Sequence, residues 1–187
     1  IVQKTGLSQP TVSRALAELG DQVVRIGSGP SIQYALRDGH RGFASAPVYR
    51  VSDEGQIRLL GSLVPVRPDG FAMVQEDGLT IHSDDLPWWL LDMRPQGYLG
   101  RAYAKAHSGS LRLPANPEHW SDSEVIHALL SHGHDAVGNL LIGELARDRF
   151  VGMSAPAPVD RAQDYPSLAQ AAAVDAVGPG GRHGASQ

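Results

Sequence analysis

The chain has 187 residues, 42% of them apolar, a formal net charge of -4 and no cysteine. This length suits one or two small domains, the apolar share excludes a wholly disordered chain, and the lack of cysteine removes disulfides, thiolate nucleophiles and zinc ribbons together. No apolar run approaches a membrane span and no basic-then-apolar leader opens at Ile1, so a cytoplasmic protein with no membrane partner is expected.

Residues 5–19 join a Gly-containing turn at Gly6 to a run with helical spacing. Ser8 is placed to cap that helix through its hydroxyl, and Pro10 falls in the first turn, where a missing N–H costs nothing. Val12, Leu16 and Leu19 then share one face. Ser8, Gln9, Thr11, Ser13 and Arg14 are left toward the N-terminal end, where a helix lying in the major groove presents side chains to base edges and phosphates. The stretch reads as the turn and recognition helix of a helix-turn-helix; an ordinary solvated surface helix is the plainer alternative.

Against that alternative stands the sequel over 21–36, two β-rich runs flanking Gly27-Ser28-Gly29-Pro30, a hairpin where a winged helix carries its wing. Arg25 on that hairpin is the expected phosphate contact. The run 5–36 resembles the DNA-binding half of many bacterial winged-helix regulators. A complete domain of that kind needs another helix upstream, so a domain truncated at its N-terminus is expected over 1–44. Residues 1–50 carry Lys4, Arg14, Arg25, Arg37, Arg41 and Arg50 against Glu18, Asp21 and Asp38, a balance of +3 that leaves -7 for the remainder. Duplex DNA is the implied partner, with a homodimer on a two-fold site adding affinity.

Residues 37–47, rich in Gly and charge, read as a linker with a domain boundary near 45. Strands are expected at 48–51, 56–64 and 70–75, a meander with one face to cover. The cover is assigned to a short apolar helix at 86–93 opened by Asp84 and Asp85, with Trp88 and Trp89 as core or interface anchors, and to a second helix after the break at 94–97. A Pro-containing connection over 111–120 leads to the most regular helix of the chain. There Ser121 and Glu124 have capping-box spacing ahead of Val125, Ile126, Leu129 and Leu130. The helix should end near Gly133 and lead into a buried strand around 140–142.

The segments 86–88, 94–101 and 135–143 together resemble the N-terminal subdomain of HipA-family toxins, serine/threonine kinases of bacterial toxin–antitoxin systems. The resemblance spans roughly 45–170, and single-chain members that carry their own helix-turn-helix show the same domain order. It implies an α+β chain: a truncated winged helix-turn-helix, then a mixed antiparallel-sheet and helix domain over 45–150, then a linker and largely disordered tail over 151–187. It also implies ATP and Mg²⁺ for a full-length relative, and a kinase core missing here. No catalytic residue is carried over, because the loop over the phosphates, the catalytic Asp and the metal-binding residues of such a kinase lie beyond this subdomain. The chain alone is therefore expected to be catalytically silent and to need no cofactor. The rival reading is a winged-helix transcriptional regulator with a ligand-sensing or dimerisation domain.

Other constellations carry less. His127, His132 and His134 with Asp135 invite a metal, but their spacing does not stack imidazoles one helical turn apart, so no metal ligands are assigned. Asp84 and Asp85 read as helix-start acids, and no nucleophile elbow is present. The Gly-rich run 177–187 falls where the resembled family places a Ser/Gly-rich loop. Read one base later it can encode a closer match, so a frameshift in an interrupted toxin gene is one expected explanation of the tail.

Overall fold

The computed structural model describes residues 6–27, 29, 32–154 and 158–176, an α+β chain dividing into two compact units, 1–151 and 152–187. Helix α1 (Gln9–Leu19) opens as its sequence dictates: the Ser8 side chain accepts the Thr11 amide at 3.4 Å. A single 3₁₀ turn leads to strands β1 (Val23–Ile26) and β2 (Gln33–Leu36), an antiparallel pair. A helix preceding the turn would fall within residues 1–5, outside the described residues. Within 1–44 the described elements are thus one helix and one hairpin.

Five strands form the central antiparallel sheet: β3 (Ala46–Val51), β4 (Ile57–Pro65), β5 (Phe71–Gln75), β6 (Thr80–Ser83) and β7 (Leu140–Ile142), in spatial order β6-β5-β4-β3-β7. The expected three-strand meander is present and is extended at both edges. Alternation sends Leu63, Phe71 and Met73 to one face and Val64, Ala72 and Val74 to the other. The first face carries the main core, beneath α2 (Gly97–Leu111), α3 (Asp122–His132) and a 3₁₀ turn at Trp88–Met93.

Both faces are covered, where one was expected. On the second face the β1–β2 hairpin packs through Val24 against Val64, Val66 and Ala72. Farther along, Ala146 of α4 (Glu144–Gly152) joins Tyr49 and Leu141. Tyr49 donates its hydroxyl proton to Glu144 Oε1 at 2.7 Å, and the Arg147 guanidinium lies 5.3 Å from the Tyr49 ring centroid, which pins α4 to β3.

Of the segment 86–93 only Trp88–Met93 is helical, as 3₁₀ rather than α, and Asp84 and Asp85 do not cap it. Its anchor comes from elsewhere: Asp122 accepts the Leu86 amide at 2.7 Å and the Arg94 guanidinium at 2.6 Å, and Arg94 also donates to the Trp120 carbonyl. Trp88 is 72% exposed, so of the two tryptophans only Trp89 packs on the core. The capping box forms in full, with Glu124 Oε2 accepting the Ser121 amide at 2.7 Å and Ser121 Oγ accepting the Glu124 amide at 3.3 Å. The second unit contains α5 (Tyr165–Ala176), and the run 177–187 lies outside the described residues. Among the described residues no helix is long and apolar enough to cross a membrane.

Candidate nucleic-acid interface

On α1 the three apolar positions Val12, Leu16 and Leu19 are half-covered, and every other position is exposed. Ser8 and Thr11 engage each other, Oγ to Oγ1 at 2.9 Å, so Ser8 is occupied in capping. The side chains of Gln9, Ser13 and Arg14 have no hydrogen-bond or ion-pair partner among the described residues. The first turn contains no acidic side chain, leaving the positive end of the helix dipole unopposed. Arg25 stands on β1 directly opposite Tyr34 of β2, both exposed, while the alternate positions Val24 and Ala35 turn toward the sheet. The structure therefore exposes Gln9, Thr11, Ser13, Arg14 and Arg25 together with the capping Ser8, all within 1–151.

A second constellation is one that spacing could not reveal. His107 of α2 stacks on His132 at the end of α3 with ring centroids 4.1 Å apart, and His134 lies 6.0 Å from His132. His107 Nε2 meets Asp135 at 2.7 Å, and Arg149 donates to His132 Nδ1 at 2.9 Å and to the Ser131 carbonyl at 2.7 Å. Burial, then the neighbouring His107 and Arg149, push the His132 pKa down to about 4; burial and Arg149 lower that of His134. His127 is exposed and apart from this group. No group of three or more metal-capable side chains converges among the described residues. A neutral imidazole accepting from a guanidinium is a packing device, and it ties the α3 end to α4.

The segments that suggested a HipA-family kinase prove to be packing positions. Leu86 and Arg94 bind Asp122, the start of α2 closes on Pro95 at Gly100, and 140–142 is an edge strand. Arg94 and Asp135 do line a cleft of about 420 Å³ between these segments, but there Arg94 is paired with Asp122 and Asp135 with His107.

A family profile described as "YjjJ-like toxin, middle domain" matches residues 43–151. This chain belongs to the YjjJ-like toxin family. Toxin YjjJ of Escherichia coli (strain K12) is 34% identical over 158 residues, covering 84% of this chain and 35% of that protein. The chain thus spans about a third of the length of that relative. No solved structure matches. Membership in the YjjJ-like family corrects the assignment to HipA-family kinases, and with it the reading as a kinase fragment; the rival transcriptional-regulator reading gains nothing from these matches. The physical reason is that the shared-looking segments specify turns and close packing, which a fold needs whatever its chemistry.

Proposed function

We propose that this chain serves a YjjJ-family toxin as its duplex-DNA contact, with the N-terminal end of α1 meeting the major groove and the outward face of the β1–β2 hairpin meeting the backbone. The observation that carries the reading is the unpartnered polar set Gln9, Ser13 and Arg14 on a capped helix with no acid in its first turn, followed by a hairpin with Arg25 exposed. Arg14 and Gln9 have the donor and acceptor groups that read base edges, and Arg25 supplies a phosphate contact. The +3 balance of residues 1–50 gives the electrostatic attraction, and its modest size is why a homodimer on a two-fold site belongs to the same reading.

The test is fluorescence anisotropy on labelled duplexes across a salt series. Affinity should fall as salt rises, and R25A should weaken all sequences about equally while lowering the salt slope by about one. Q9A should instead relax base preference at one position. Affinity that is absent, or indifferent to salt and to both substitutions, refutes the proposal.

A further inference from the structure

Where the helix layer ends, the core-facing side of the sheet continues into a groove of about 420 Å³ lined by Arg50, Arg58, Leu60, Ile81, Trp88 and Trp89, among others. Arg50 of β3 and Arg58 of β4 are directly opposed in the ladder. Opposed residues of an antiparallel pair stand about 5 Å apart at Cβ, and like charges so placed repel. Both arginines are exposed, and neither side chain has an ion-pair or hydrogen-bond partner among the described residues. Beside them Trp88 is 72% exposed and Ile81 38% exposed, on a face whose covered part is the main core.

We propose that this groove docks a protein segment in which acidic side chains neighbour large apolar ones. A carboxylate between the two guanidiniums would relieve their repulsion through bidentate, charge-assisted hydrogen bonds. The apolar neighbours on the segment would cover Trp88 and Ile81, and tryptophan and arginine are the side chains that most often anchor such contacts. Charge decides between a peptide and a nucleic-acid strand. Glu76 and Asp77 line the same groove, so a phosphate chain, charged at every step, would meet two carboxylates, whereas a peptide can carry a single acid between the arginines and apolar side chains elsewhere.

The full chain is panned against a display library of random dodecapeptides, and selected peptides are measured by anisotropy with oligo-dT as competitor. Selected peptides should carry Asp or Glu beside large apolar residues, and should bind R50E/R58E and W88A about tenfold or more weakly than wild type. Exchanging their acidic residues for Lys should restore binding to R50E/R58E. R50Q/R58Q replaces the reversed pair if circular dichroism shows that it does not fold. The proposal is overturned if no peptide is enriched, if those enriched are neutral or basic, if the variants bind as well as wild type, or if oligo-dT displaces the peptides and binds with higher affinity.

Discussion

His132 is held neutral by its surroundings, and that gives the chain a pH dependence with a definite sign. In the fold its pKa is about 4 against 6.5 for the free side chain, because burial, His107, Arg149 and His134 all oppose a charge there and only Asp135 favours it. Between these two values the unfolded chain binds a proton that the folded chain does not, so stability is full above about pH 6.5 and is lost as pH falls toward 4. Urea midpoints measured at pH 7.5 and at pH 5 should show this loss. H132Q, which cannot take the proton, should flatten the dependence; an unchanged profile would mean that the imidazole stack does not govern acid stability. The cluster was only half legible in the sequence. His132, His134 and Asp135 are neighbours along the chain, whereas His107 arrives because α2 packs beside α3, a contact between residues 25 positions apart that no local spacing encodes.

At the scale of single elements, what could be read was what is local. The Ser8 cap, the Ser121–Glu124 capping box and the strands expected at 48–51, 56–64 and 70–75 depend on residues within a few positions of one another, and all are found, the strands at 46–51, 57–65 and 71–75. β6 was missed although Asp77-Gly78 marks its turn, and the 3₁₀ form of 88–93 was missed because its anchor, Asp122, lies far along the chain. Two substitutions separate local from nonlocal control. S121A removes a cap and should lower stability by about 1 kcal/mol in urea unfolding. G61A acts through a neighbour strand: Gly61 has φ of 149°, and a Cβ there would lie 2.1 Å from the Val74 carbonyl oxygen. It sits beside the bulge at which pairing passes from Val48 with Gly61 to Tyr49 with Leu59, so its loss should exceed about 1 kcal/mol and disturb β4–β5 pairing. Equal costs for the two substitutions would mean that the β5 backbone yields freely at this point.

The largest scale concerns whether the hairpin that carries Arg25 is a module of its own or part of the sheet. Its backbone is stitched to the strand ends: the Asp38 amide donates to the Pro65 carbonyl and the Arg67 amide to the Leu36 carbonyl, each at 2.8 Å, and Arg37 bridges Val66. Val24 is 4% exposed against Val64, Val66 and Ala72, on strands whose opposite side chains Leu63, Phe71 and Met73 form the main core. Because β4 and β5 are buried on both faces, uncovering one face exposes the backbone that supports the other, and the hairpin and sheet should unfold in one transition. V24D places an uncompensated charge in that contact and should destabilise the whole of this transition by about 3 kcal/mol. Hydrogen exchange is the discriminating measurement. If the amides of β4 and β5 lose protection together with those of β1 and β2, the hairpin is part of the sheet's cooperative unit; if only β1 and β2 lose it, the hairpin is an independent module resting on a sheet that is stable without it.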